Sequence, residues 1–269
     1  AASVTIVNGE AADNAIDSLV LDAAETTGLT LTGSTVAGGN TLAITNNVTG
    51  TNLLASLTAS TSVTGNTIAM GTIADADALT SINLTAGEAN ATVGAIGTNA
   101  TANNAETLAT VNVTANGTGA VATLGAVFAD STVDSATDNA MTVTATTGSG
   151  AQTVLGAIDN LYGSITGTYA TDSATVSTQD NLTAASMTLT HSGSGATTYQ
   201  DLISSGAVTL TATGGGTIIV DDANIDGSGT GTFDASGMTG TMDIDATNST
   251  GAMTMTGGSG VDQFIGGSG

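Results

Sequence analysis

One short unit recurs along this chain: an apolar residue, any residue, a second apolar residue, Thr, then usually Ala or Gly. Leu79-Thr80-Ser81-Ile82-Asn83-Leu84-Thr85-Ala86 returns as Leu108-Ala109-Thr110-Val111-Asn112-Val113-Thr114-Ala115, and Met141-Thr142-Val143-Thr144-Ala145 follows after a nearly equal interval. A second marker keeps step with it: Gly94-Ala95-Ile96, Gly125-Ala126-Val127 and Gly156-Ala157-Ile158 are evenly spaced. Alternation of apolar and hydroxyl residues has the period of a half-buried strand, with one row facing in and a Thr row facing out. Strands of four or five residues cannot bury such a face alone, whereas stacked repeats bury it continuously.

The sequence therefore predicts an all-β chain of stacked short strands, a β-solenoid or β-roll with Gly-rich turns. Packed β-sandwich domains are the alternative, since short strands punctuated by Gly serve both. The near-constant interval favours the coil in the middle of the chain, and spacing after residue 190 is less regular. Helical spacing of apolar residues predicts two short helices, over Ala11–Ala24 and Thr153–Leu161. Two regions are expected: a Thr/Ala/Asn-rich β-repeat region over 1–199, and a Gly/Asp-rich calcium-binding β region over 200–269 that contains no Glu.

Charge then limits what such a fold can bind. The 269 residues include no Lys or Arg, and 23 Asp and Glu give a net charge of −23. Nucleic acid needs cationic side chains to displace counterions, so it is excluded as a partner. An anionic membrane surface would repel the chain, and no apolar run is long enough to span a bilayer. Uniform charge opposes a compact state, so something external must neutralise the carboxylates. Oxygen donors and the absence of Cys point to a hard divalent cation, Ca²⁺, with screening by high salt as the other route. The lack of Cys also fits a secreted protein that does without disulfides. No basic leader is visible, and both ends read as cut from a longer polypeptide.

The most specific motif ends the chain. Gly257-Gly258-Ser259-Gly260-Val261-Asp262-Gln263-Phe264-Ile265 fits GGxGxDxUx, and Gly266-Gly267-Ser268-Gly269 begins a second copy. The Gly-rich half makes a tight turn whose carbonyls can face Ca²⁺, Asp262 adds a carboxylate, and Phe264 starts a strand that packs inward. Gly258, Gly260 and Asp262 are thus candidate metal-site residues. Asp221, Asp222 and Asp226 in a Gly-rich loop are further candidates, as are Asp234 and the same-face pair Asp243 and Asp245. Asp75 and Asp77 share that spacing. Paired carboxylates repel unless a cation joins them; the plainer reading of each pair is solvated surface acid. Glu10, Asp13 and Asp17 read as the wet side of the first expected helix.

This ending resembles the RTX (repeats-in-toxin) family. Together with Thr232-Phe233-Asp234-Ala235-Ser236-Gly237-Met238 and the run from Gly251 to Gly260, it is similar to the calcium-dependent surface-layer (S-layer) proteins of Gram-negative bacteria. The resemblance implies type I secretion to the cell surface and self-assembly into a Ca²⁺-bound homo-oligomeric lattice, with cell-surface polysaccharide as a further candidate partner. It is specific only over residues 232–269 and compositional elsewhere.

No enzymatic motif stands out. The single His, His191, at a strand-to-turn junction, reads as an ordinary exposed residue, zinc would lack ligands, and glycoside hydrolysis would lack aromatic platforms. A secreted hydrolase with an RTX tail is therefore a weaker alternative. An adhesin or ice- or carbohydrate-binding region, built on Thr rows, is the other. It wants Thr-x-Thr on every rung, and here that motif recurs too irregularly. Eight Asn-x-Ser/Thr sequons occur, where chance gives about five or six, so they say little about glycosylation.

Overall fold

The computed structural model describes residues 2–8, 13–16, 19–21, 25–33, 39–45, 48–49, 53–98, 105–130, 139–172 and 177–269. Every strand pairing among them is parallel. That excludes the sandwich alternative, whose sheets are antiparallel, and makes the molecule a β-solenoid. Each coil passes through three ladders in turn.

The first ladder stacks Ala2–Val7, Thr26–Thr32, Ser56–Thr61, Ser81–Ala86, Thr110–Ala115 and Ala140–Thr147. It continues through the later part of Ile158–Thr171 and of Leu182–Ser192, then Val208–Gly214, Thr230–Met238 and Ala252–Thr256. The second ladder runs from Asn14–Ile16 through Thr41–Ile44, Thr67–Met70, Ala91–Val93, Val121–Leu124, Gln152–Leu155 and Ser177–Gln179. Ala196–Ser204, Thr217–Ile225, Thr241–Asp245 and Gln263–Ile265 complete it. The third is narrower: Val48, Ile73, Ile96 and Val127 meet as single bridges, followed by longer pairings at Ile158, Leu182, Leu202 and Ala223.

The repeats recognised in the sequence are these coils. Ser81 pairs Thr110, as the recurring unit predicts. The Gly-Ala-apolar marker gives the bridge of Ile96 to Val127 and the pairing of Val127 with Ile158. The next copy of the unit differs in register. Sequence likeness would set Met141 beside Val111, but Val143 lies there. A slip of two positions keeps every side chain on its own face, so the pattern alone cannot detect it. The marker glycines also acquire a reason. A Cβ on Gly94, Gly125 or Gly156 would lie 2.7–2.8 Å from backbone atoms of the glycine in the coil before it. The corner is too tight for any side chain.

Inward residues form files of Leu, Ile, Val and Ala, such as Leu57, Ile82 and Val111. Size is balanced between coils: Gly167 leaves the room that Leu189 and Tyr169 occupy, and Gly231 that of Met253.

Among the described residues neither expected helix is found. Thr153–Leu161 lies in strands Gln152–Leu155 and Ile158–Thr171. Within 11–24, Asn14–Ile16 and Leu19–Val20 are strands; the rest of that stretch apart from Asp13 and Leu21, together with Glu10, lies outside the described residues. Local helical spacing was outweighed by the parallel edge offered by the neighbouring coil. Asp13 accepts a hydrogen bond from the Thr41 amide at 2.8 Å.

Candidate functional site

The Gly257–Ile265 turn closes the last coil. Asp262 accepts hydrogen bonds from two backbone amides, Met242 N to Oδ1 at 2.8 Å and Gly258 N to Oδ2 at 2.7 Å. Its carboxylate therefore pins this turn to itself and to the preceding coil. The glycines are needed for the same close stacking. A Cβ on Gly258 would sit 2.5 Å from the carbonyl oxygens of Ala235 and Met238, and one on Gly260 would collide with the Gly240 carbonyl. Phe264, the apolar residue of the motif, lies in strand Gln263–Ile265 and packs partly buried against the core.

The other sequence-selected acids are spread over several coils. Asp221 and Asp222 are not in a Gly-rich loop; both lie within strand Thr217–Ile225, and Asp226 follows its end. The run Thr217-Ile218-Ile219-Val220 carries the strand forward to Ile225, and the turn comes only at Gly227. Asp243 and Asp245 do share the outer face of one strand, as their alternate positions predict. With Asp221 they line one shallow groove, completed by Ile219, Gln263 and Ile265. Asp234 accepts from the Ser236 amide, and Asp245 from both the amide and hydroxyl of Thr247. These bonds hold both carboxyls below the usual Asp range.

Asp221 and Asp222 belong to an acidic group whose other members, Asp180 and Asp201, the sequence reading does not select. Asp201 pairs in register with Asp222. Burial raises its pKa, and the charges of Asp222, Asp180 and Asp221 raise it further, against a lowering hydrogen bond with Asn181. Asn248 donates to Asp222 Oδ2 at 2.8 Å, while Asp222 Oδ1 is buried with no hydrogen-bond partner. Asp159 has a similar orphaned oxygen, and burial raises its pKa as well. One sequence signal existed: Asp159, Asp180, Asp201, Asp222 and Asp243 are evenly spaced along the chain. A separate group forms where burial, then Asp75 and Glu106, raise the Asp77 pKa.

As donors these residues suit a hard cation: all are oxygens, and the amides of Asn181 and Asn248 adjoin Asp201 and Asp222. Among the described residues, no group of three or more Asp, Glu, His or Cys is arranged to hold a metal ion by itself. Any bound cation would need backbone or amide oxygens as well.

His191 is not the exposed residue expected. It is fully buried, in the interior file between Tyr169 and Ala212. Its Nε2 meets the Thr197 hydroxyl at 2.8 Å, its Nδ1 has no partner, and burial lowers its pKa to about 4. It belongs to a polar interior that the sequence did not reveal. Thr147, Thr153 and Ser177 bond one another through their hydroxyls, Thr171 bonds Thr197, and Tyr169 donates to Gln179 at 3.3 Å. Tyr199 packs edge-on to Tyr169, with centroids 5.2 Å apart. Such inward Thr are invisible to a pattern that assigns Thr outward. Among the described residues, no helix is long and apolar enough to cross a membrane. Comparisons with protein-family models, with curated proteins and with solved structures give no match to this chain.

Proposed function

We propose that this solenoid is a structural subunit of an extracellular, calcium-dependent surface layer. The observation that carries the reading is the stacking of Asp180, Asp201, Asp221 and Asp222 on neighbouring coils in a chain with no Lys or Arg. Adjacent strands lie about 4.8 Å apart, so carboxylates in register repel until a cation enters. Ca²⁺ held between coils by these acids, by Asn181 and Asn248 and by turn carbonyls would remove that repulsion. It would also stabilise the fold by mass action. Asp262 and the glycines around it would hold a further ion where a next Gly-rich turn supplies the remaining oxygens.

Assembly follows from the same charge. Copies carrying −23 repel one another and have no cationic side chain to pair across a contact. Contacts between them must be uncharged or bridged by Ca²⁺. The terminal coils of the described solenoid also leave apolar residues half-covered, namely Val4, Ile6, Ile16 and Leu19 at one end and Met253, Met255 and Phe264 at the other.

Two measurements test the proposal. Circular dichroism in EGTA at low salt, with Mg²⁺ and NaCl as controls, should show a loss of β structure that Ca²⁺ restores. Light scattering through a calcium titration should show assembly above a threshold and dispersal on chelation. Equal stability with and without calcium, in a chain that stays monomeric, would sink it.

A further inference from the structure

The outward face of the first ladder is chemically unlike the rest of the surface. In its middle, strand register places Thr142 and Thr144 beside Thr166 and Thr168, then beside Thr188 and Thr190, then beside Thr209 and Thr211. Four successive coils thus present Thr-x-Thr in two unbroken files. The coils that separate these strands differ in length. Those unequal steps hide the array in the linear sequence, while the parallel ladder makes it regular in space. Thr232 continues one file and Asp234 interrupts the other, and Thr254 and Thr256 resume both. Toward the N-terminus the files become Thr110 and Asn112, then Ser81 and Asn83; the Asn112 amide donates to the Asn83 amide oxygen at 2.9 Å.

Three further properties set this block apart. First, it carries no charge in a chain with 23 acids; the nearby acids Asp180, Asp201, Asp221 and Asp222 stand at the second ladder and its corner. Second, among the described residues none of the eight hydroxyls bonds to another part of the protein, whereas other Thr do: Thr41 with Thr67, Thr147 with Thr153, and Thr171 with Thr197. Third, no aromatic ring lies on it; Tyr169, Tyr199 and Phe233 point inward.

The geometry points to this Thr block as a binding face for ice. β-branched side chains are stiff at χ1, so each Thr offers a hydroxyl and a methyl in fixed positions. Along the coil axis they repeat every ~4.8 Å, and along a strand, at every second position, every ~6.6 Å. A rigid two-dimensional lattice of donors and methyls at these spacings resembles the repeat of oxygens across a face of hexagonal ice. Little ordering entropy remains to be lost on binding, because the β ladder has already fixed the array. Charged side chains would hold their own hydration shells in place of ice-like water. Polysaccharide fits less well, because no ring on the face can stack on a sugar. The inference does not rest on the calcium or lattice reading.

The test is ice growth in the full chain, with and without Ca²⁺, folding being checked by circular dichroism. The wild type should grow faceted crystals and separate the melting and freezing points. Thr168→Lys with Thr190→Lys should abolish both effects, while Thr123→Lys, on the second ladder, should leave them intact. If the double Lys variant does not fold, Thr168→Val decides: it keeps the branched shape, loses one hydroxyl, and should narrow the gap at least twofold. Unfaceted ice from the folded wild type overturns the inference, as does equal loss from Thr123→Lys. So would retention on crystalline cellulose or chitin without an effect on ice. A dimer that Thr168→Lys dissolves, with ice unshaped, would reassign the face to contact between copies.

Discussion

Nearly equal lengths of chain make four turns in one half of the solenoid and five in the other. The first ladder climbs from Gly28 through Ser56, Ser81 and Thr110 to Thr142, then from Thr142 through Thr166, Thr188, Thr209 and Thr232 to Thr254. In the earlier, wide coils the third ladder is narrow, a two-residue pairing at Val48 and then single bridges through Ile73 and Ile96 to Val127. In the later, narrow coils the strands run through the corners: Ile158–Thr171 serves the third ladder and then the first, and Thr217–Ile225 serves the second and then the third. A shorter turn leaves less chain to lie outside a ladder. The interiors differ as well. The wide coils are filled mainly by Leu, Ile, Val and Ala, with fewer buried polar side chains, among them Asn40, Asn66 and Thr61. The middle of the narrow stretch encloses His191, Gln179, two Tyr and several Thr and Ser. The outer Thr array and the coupled acids lie on the narrow coils too. Shortening the coil is thus associated with a more regular surface and a more polar inside.

The largest expected effect tests whether the two regions are separate cooperative units. Phe233→Ala empties a fully buried site in the narrow coils and should cost about 3–5 kcal/mol; Leu57→Ala in the wide coils should cost about 2–5 kcal/mol. In a solenoid each coil contacts only its neighbours. Hydrogen exchange should therefore speed up around residues 208–256 in the first variant and around 28–86 in the second. Global, identical loss of protection in both would merge the two regions into one unit.

The next effect is pH dependence, which belongs to the narrow coils. Burial lowers the His191 pKa from 6.5 to about 4. The unfolded chain therefore binds a proton in that window and the folded chain does not. His191's contribution is fully present above pH 6.5 and is lost as pH falls toward 4, by about 2–3 kcal/mol. Asp159 and Asp201, with raised values, act in the opposite sense, because the folded state holds their protons more tightly. The difference in denaturation midpoint between wild type and His191→Leu, followed from pH 7 to 4, isolates the histidine. A pH-independent difference would show that His191 is solvated.

A smaller effect concerns the final turn. Asp262→Asn keeps one acceptor where two amides are now bonded, at a cost of about 1–2 kcal/mol. Exchange at the Met242 and Gly258 amides should quicken, with the wide coils unaffected. In a longer polypeptide that supplies the neighbouring turn, the same change should lower calcium stoichiometry. The smallest contrast is inside the polar interior. Tyr199→Phe removes a buried hydroxyl that has no partner and should be neutral or slightly stabilising, whereas Tyr169→Phe breaks the bond to Gln179 and should cost about 1 kcal/mol. Equal losses from both would mean that Tyr199 has a partner in solution.

The repeat units were legible because side-chain alternation has period two and survives any even slip of register. Ile82, Leu84, Val111 and Val113 face inward as their spacing predicts. The same property made Val111 to Val143 unreadable, since the alternative partner Met141 faces the same way. Asp243 and Asp245 were legible as a same-face pair because their proximity is local. Asp201 beside Asp222 is signalled only by the even spacing of the acids, which gains meaning once the coil length is known. His191 was misread because Thr190-His191-Ser192 looks polar in sequence, while position in the alternation places its ring in the core.

By itself, the sequence determined the strand as the local unit, the stacking of repeats as the way to bury it, and a net charge of −23. Each follows from local periodicity or from composition, which need no knowledge of contacts. Only the tertiary structure decided which coils are wide or narrow, which Thr enter the interior, and which acids or hydroxyls come into line. Those alignments are set by how much chain separates successive strands. Parallel pairing turns the unequal steps from Thr142 to Thr166, Thr188 and Thr209 into equal spacing along the coil axis.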